Sequence, residues 1–358
     1  MKTVFLLTEI SVGGAERVVL DLCTEFKKLG HSAAVVALKS LNYDDIMVQS
    51  FQRENVELHS LDIDKKHPFR ALRMKKIIKM LNPDVVSAHL FHPNILSRIM
   101  LRKRDFKLVN TVHIMEIRPE QQWRFLIDKL TFKLADAHTT VSQAAADFQC
   151  EKMNLPANSF KVIRNGIQKP YTPNTEEIAL LRRKWGVDDC DIVFGCIGRL
   201  NYQKGFDILL NMKNAIAETF STSRTGLVFI GDGPEMENLK KLAENAPGNM
   251  KIIFAGYSAN AASECGAFDI FLMPSRFEGF GLTMAEAMAH GLKIAAQNIP
   301  PLAEVANGYK NAVLTDFNDT EAAINAIRQI SNASGTISAY DYSAGDMAEK
   351  YLDVFRKF

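Results

Sequence analysis

The chain holds 358 residues, 47% of them hydrophobic and 23% charged, enough material for about two domains at ~150 residues each. Its 22 Phe and many Leu, Ile and Val exclude a disordered chain, and its longest apolar runs fall far short of the ~20 residues of a membrane-crossing helix. The net charge is only +2, and with no RNA- or DNA-binding signature beside the basic residues a nucleic-acid partner is excluded.

In chain order, the start MKTVFLLTE reads as a first strand over Thr3–Thr8 rather than as a secretory signal. A glycine turn, Ser11–Gly14, leads into a helix over Ala15–Leu29 that stops at Gly30. Within it Val18, Leu22, Phe26 and Leu29 form one apolar stripe able to pack on a sheet. Further strands are expected at Ala33–Leu38, Val85–His89, Leu108–His113, His138–Ser142 and Phe160–Ile163. After Asn165-Gly166, the stretch Gln168–Thr175 carries two prolines and no apolar period, which marks a linker.

A second series of strands begins at Ile192–Ile197 and continues at Leu227–Gly231, Lys251–Phe254, Ile270–Pro274, Lys293–Ala296 and Ala312–Leu314. Ser331–Thr336 reads as a polar loop and Asp346–Phe355 as a closing amphipathic helix. Short β-branched runs alternating with amphipathic helices imply βαβ units and mainly parallel sheets. The expected fold class is α/β, with two doubly wound Rossmann-like domains over residues 1–168 and 169–340 and a terminal segment 341–358. Ligands of such sheets sit at the C-terminal strand ends, so a cleft between the domains is the expected site.

Charge is unevenly divided. Residues 1–168 hold 25 Lys/Arg against 18 Asp/Glu, and residues 169–358 hold 18 against 23. Much of the excess lies in Lys65–Lys79, with seven basic and no acidic residues, and in Arg98–Lys107. Such a stretch is either a solvated helix face or a surface for anionic lipid headgroups, so an anionic membrane surface is an expected partner through Lys65–Lys79. The five cysteines are scattered and form no C-x-x-C, so neither a zinc site nor a disulfide framework is expected. A reducing cytosol fits them, with peripheral attachment at the inner face of the cell membrane.

The most informative segment is Glu278–Glu286, EGFGLTMAE, between an apolar strand and a helix. Gly279 and Gly281 allow close approach of backbone to a ligand. The amides of Leu282, Thr283 and Met284 open the helix and suit a diphosphate, while Glu278 and Glu286 can accept hydrogen bonds from sugar hydroxyls. Gly198–Gly205, GRLNYQKG, places Arg199 and Lys204 in the loop after another strand, where two cations suit a polyphosphate. Gly231–Glu235, GDGPE, is a turn that is as readily structural as functional.

In the first half Gly13-Gly14 offers a further helix-start amide cluster, and His89, His92 and His113 lie at or near strand ends on the same side. His113 is the histidine singled out. No G-x-G-x-x-G is complete and no Walker lysine loop is present, so a nicotinamide-dehydrogenase reading has no support. Asp62-Ile-Asp64 and Asp189-Cys-Asp191 imitate a D-x-D metal clamp but follow no buried strand, and no metal is expected at either.

The set GGAER (13–17), TVH (111–113), NG (165–166), GRLNYQKG (198–205), GDGPE (231–235) and Glu278-x7-Glu286 resembles the retaining, GT-B-fold glycosyltransferases of group 1, family 4, over essentially the entire chain. The resemblance implies a nucleotide-diphospho-sugar donor, most commonly a UDP-sugar, and a saccharide or lipid-linked acceptor of surface polysaccharide or glycolipid synthesis. It assigns Gly198, Arg199 and Lys204 to the donor diphosphate, with the two cations neutralising the leaving nucleotide. Glu286 takes the ribose hydroxyls, and Glu278 with Gly279, Phe280 and Gly281 takes the donor sugar, beside Leu282 and Thr283. Gly14 takes phosphate from across the cleft, and His113 a sugar hydroxyl. The last helix is expected to pack back on the first domain.

No cofactor, metal or side-chain nucleophile is implied. The glycine pair frequent before the later Glu of the family is replaced here by Pro300-Pro301 ahead of Glu304. Two alternatives stay open: a nucleotide-sugar epimerase or phosphorylase of the same fold, and a homologue that binds a nucleotide sugar without turnover.

Overall fold

The computed structural model describes residues 1–333 and 342–357. It divides into two compact units, Met1–Gln168 with Tyr342–Phe358, and Lys169–Asp341.

The first unit is built on a seven-stranded sheet of β1 (Lys2–Leu7), β2 (Ser32–Ala37), β3 (Glu57–Ser60), β4 (Val85–His89), β5 (Lys107–Val112), β6 (Ala137–Thr140) and β7 (Lys161–Val162). The strands run parallel in the order β3-β2-β1-β4-β5-β6-β7. Every residue of β4, and all of β1 but Lys2, is buried, as expected of central strands covered by helices on both faces. The helix Gly14–Lys28 buries Val18, Val19, Leu22 and Phe26. The edge strand β3, sequence ELHS, has no buried residue and no apolar run, so sequence analysis did not find it.

The closing helix Ala344–Lys357 belongs to this unit. Phe355 meets Phe26 edge-on at 6.1 Å, and Tyr351, fully buried, places its hydroxyl 3.5 Å from Thr111 Oγ1. Burial pushes the Tyr351 phenol up to about 12. The Ile167 amide donates to the Tyr342 carbonyl at 2.7 Å, and a Cβ at Gly166 would stand 2.2 Å from the Ser343 carbonyl oxygen, so only glycine fits there.

The second unit carries a six-stranded sheet of β8 (Ile192–Ile197), β9 (Thr225–Ile230), β10 (Met250–Gly256), β11 (Ile270–Met273), β12 (Lys293–Gln297) and β13 (Ala312–Thr315). Its order is β10-β9-β8-β11-β12-β13, again parallel. Phe194, Phe229, Leu227, Leu272 and Ala295 line one face with Leu209, Leu210, Ile216 and Ile327 from the covering helices. The helix Thr175–Trp185 opens with a capping box between Asn174 and Glu177 and closes at Gly186, φ 72. Of the polar loop expected over Ser331–Thr336, Ser331 and Asn332 end the helix Thr320–Asn332, and 334–336 lie outside the described residues.

Both sheets reverse winding direction once, between β1 and β4 and between β8 and β11. Loops from two adjacent strands diverge at such a switch point and leave a crevice outside their carboxyl ends. In the second unit β8 and β11 pair only through Phe194–Ile270 and Gly195–Phe271.

Candidate functional site

The loop after β8 is set by close backbone packing. A Cβ at Gly231 would lie 2.0 Å from the Gly198 carbonyl oxygen, and one at Gly233 would lie 2.3 Å from that of Leu200. The Leu200 amide donates to the Asp232 carbonyl and the Glu235 amide to the Leu200 carbonyl, each at 3.0 Å. The GDGPE turn therefore acts structurally, as the bed on which the Gly198–Gly205 loop rests. Asn201 then caps the short turn Tyr202–Lys204 by accepting from the Lys204 amide, and Gly205, φ 66, closes it against the Pro274 carbonyl.

The loop after β11 locks onto this one. The Arg276 amide donates to the Gln203 carbonyl at 2.8 Å. The Arg276 guanidinium forks onto both Asp207 oxygens at 2.8 and 2.6 Å, donates to the Tyr202 carbonyl, and lies 4.2 Å from the Tyr202 ring centroid. That hydrogen bonding holds the Asp207 carboxyl below the usual carboxylate range. Two residues on, Glu278 accepts a 2.7 Å hydrogen bond from Lys204 Nζ. The two side chains are 8% and 15% exposed, so the pair is largely screened from water.

Gly279, Phe280 and Gly281 are buried, and the helix Leu282–Ala289 starts from Gly281, φ 104, whose missing Cβ makes room for Leu302. The Met284 and Ala285 amides both donate to the Gly281 carbonyl. Met284, expected among the open amides, is therefore engaged within the helix, and Leu282 and Thr283 are left to face a ligand. Buried beside them, Ser275 Oγ and Thr283 Oγ1 make no hydrogen bond among the described residues. Glu286 sits half-buried in the second turn. Arg199, in the loop after β8, is exposed. Pro300 and Pro301 start the helix Pro300–Ala306, which carries Leu302 against Gly281.

The second unit thus brings Lys204, Glu278, Gly279, Phe280, Gly281, Leu282 and Thr283 to the crevice between β8 and β11, joined by Arg276 and Asp207. Sequence reasoning missed those last two. The available signals were position alone: Arg276 stands two residues before Glu278, and Asp207 three after Lys204.

In the first unit, His89 ends β4 and lies fully buried, and its Nδ1 is 2.7 Å from His113 Nε2, while its Nε2 is 3.0 Å from Ser87 Oγ. Desolvation holds His113 down to about 3 and His89 well below the ordinary histidine range, which favours the neutral form of both rings. His92 does not join them. It is exposed in the first turn of the helix Phe91–Met100. Gly14 is the first residue of its helix, and the buried Glu16 carboxylate lies 2.2 Å from where a Cβ on Gly13 would be.

The aspartate pairs have local work. Asp64 accepts from the Lys66 and His67 amides, and Asp189 pairs with Arg224 and Lys251. Among the described residues no group of three or more His, Cys, Asp or Glu side chains is arranged to hold a metal. Of the basic stretch Lys65–Lys79, Arg70 donates to the Asp62 carbonyl and lies 3.6 Å from Asp64, and Arg73 lies 3.4 Å from Asp62, so two of its charges are balanced locally. All five cysteines are buried, and no described helix is long and apolar enough to cross a membrane.

Two family models match the chain in tandem: Glycosyltransferase Family 4 over residues 12–169 and Glycosyl transferases group 1 over residues 177–344. The lipopolysaccharide core biosynthesis mannosyltransferase LpsB of Rhizobium meliloti is 24% identical over 330 residues, 88% of this chain and 83% of that protein. The N-acetyl-alpha-D-glucosaminyl L-malate synthase of Bacillus anthracis is 22% identical over 281 residues, 74% of this chain and 72% of that one. Among solved structures, HepE of Anabaena, in complex with UDP and glucose, superposes with a TM-score of 0.82 at 20% identity over 100% of both chains. Two parallel-sheet α/β units, the tandem family matches and these relatives lead to one conclusion: the chain belongs to the group 1 glycosyltransferases of the GT-B fold.

Proposed function

We propose that the chain moves a sugar from a nucleotide-diphospho-sugar, with UDP the favoured nucleotide, to a saccharide or lipid-linked acceptor of surface polysaccharide or glycolipid synthesis. The transfer retains anomeric configuration and needs no metal. The observation that carries this reading is the buried Lys204–Glu278 pair beside the open amides of Leu282 and Thr283, at the β8/β11 switch point. The UDP found with Anabaena HepE supports the donor class, and the naming of LpsB supports the acceptor class.

Transfer breaks the bond from the sugar's anomeric carbon to the diphosphate, and its electron pair moves to the leaving phosphate oxygen. The acceptor oxygen bonds the same face of that carbon and passes its proton to the departing phosphate. Charge therefore grows on the diphosphate. Lys204, Arg199 and the helix-start amides, with Gly198 and Gly14, act there, because fixed donors aimed at developing charge stabilise the transition state without reorganising. Glu278 with Gly279, Phe280 and Gly281 orients the sugar, Glu286 the ribose, and neutral His113 a sugar hydroxyl. The protein works at an anionic membrane surface met through Lys65–Lys79.

Purified protein with a panel of donors and acceptors tests this reading. Product with retained configuration, formed equally in EDTA, is the expected result. Sugar conversion without any acceptor would instead identify an epimerase.

A further inference from the structure

Several of the first unit's exposed large apolar side chains lie on three neighbouring elements. Trp123, Leu126 and Leu130 are 53, 62 and 74% exposed. They stand at i, i+3 and i+7 of the helix Trp123–Thr131 and so share one side of it. Lys129 and Lys133, both exposed, flank this stripe. The neighbouring helix Phe91–Met100 packs against both this helix and the turn Pro68–Leu72, and these add exposed Ile99, Phe69 and Leu72 at 50, 63 and 65%. Trp123 is held in place: its ring meets Phe91 edge-on at 5.7 Å, and the Arg124 guanidinium lies 5.0 Å from the Phe91 centroid and 5.8 Å from that of Trp123. An apolar stripe of this size on a solvated face marks an interaction surface.

We propose that the helix Trp123–Thr131 is an interfacial anchor. Trp123, Leu126 and Leu130 enter the headgroup–acyl boundary of an anionic leaflet, and Lys129 and Lys133 hold its headgroups. This rests on the reading that the chain meets an anionic membrane, and it puts the apolar contact chiefly on a helix outside the basic stretch Lys65–Lys79, beside that stretch's exposed Phe69 and Leu72. A tryptophan with aliphatic neighbours and flanking lysines is the composition of helices that lie in the interface plane. The same lysines disfavour a second copy as occupant, because a two-fold contact through this face would set like charges against each other.

Vesicle binding tests it. The chain has two tryptophans, and the other, Trp185, is 5% exposed, so lipid-dependent fluorescence reports on Trp123. With vesicles of phosphatidylcholine and phosphatidylglycerol, brominated acyl chains are expected to quench Trp123. A Leu126→Glu/Leu130→Glu variant should bind at least about tenfold more weakly at an unchanged melting temperature. Quenching in the wild type needs no variant and stands even if that one misfolds. Binding without quenching, equal in the variant, overturns the anchor but leaves the Lys65–Lys79 reading in place, and a Lys75→Glu/Lys76→Glu/Lys79→Glu variant then shows the dependence. No binding to anionic vesicles at low salt removes both. A wild-type dimer lost in the Leu126→Glu/Leu130→Glu variant, with no vesicle binding, makes the face a self-association surface and overturns the proposal.

Discussion

Lys204 and Glu278 come from loops that follow different strands, yet their charged ends meet at 2.7 Å with little exposure to water. The fold thus holds the ammonium and the carboxylate together, and on the proposed reading a donor diphosphate would share Lys204 with Glu278. Lys204→Ala is expected to lower kcat/KM for transfer by about a hundredfold or more, as loss of a preorganised charge stabiliser does. Glu286→Ala, which removes the proposed ribose acceptor, should likewise cut transfer by orders of magnitude with the chain still folded. Near-normal turnover in both would defeat the donor-site assignment.

Arg276 ties the two loops together through Gln203, Tyr202 and Asp207. Lys cannot reproduce a planar fork on a carboxylate. Arg276→Lys should therefore reduce kcat while melting only about 2–4 °C lower. A melting change with unaltered kinetics would make the clamp purely structural.

Neutral buried histidines give a signed pH dependence. His89 and His113 titrate in the folded chain well below their ordinary value, as does His138 at about 3. The unfolded chain therefore binds more protons between about pH 6.5 and pH 3, and stability falls as pH drops through that window. Buried His89 alone contributes on the order of 1 kcal/mol per pH unit. His89→Gln should flatten the slope of unfolding free energy against pH by one proton, whatever it does to stability at neutral pH. An unchanged slope would show that His89 already charges in the folded state.

Arg98 is 1% exposed and donates to Asn110, to Asp128 at 2.7 Å and to Thr131. Burial raises the Asp128 carboxyl while Arg98 draws it back down. Arg98→Ala would leave that carboxylate buried and unpaired, at about 3–5 kcal/mol, and Arg98→Met with Asp128→Asn should restore much of the loss. Chemical denaturation of the single and double variants measures both.

The buried strands were legible because parallel strands covered on both faces read as continuous apolar runs, as in Val85–His89 and Ile192–Ile197. β3 escaped because ELHS is a half-exposed edge, with nothing for a periodicity argument to find. The loops after β8 and β11 were visible through their glycines. What was not visible was pairing across distance: Asp207 lies 69 residues before Arg276, and His89 lies 24 before His113. Nor does a sequence say that the Glu16 side chain folds back over its own helix start, beside Gly13.

Calorimetry of UDP, GDP and ADP against the corresponding nucleosides, on wild type and Lys204→Ala, bears on the site most directly. At least one diphosphate should bind the wild type and lose about tenfold or more in affinity in the variant, as a charge-assisted contact to phosphate implies, with its nucleoside unaffected. Equal diphosphate affinity in both proteins, or none in either, would contradict the placement of the donor beside Lys204 and Glu278.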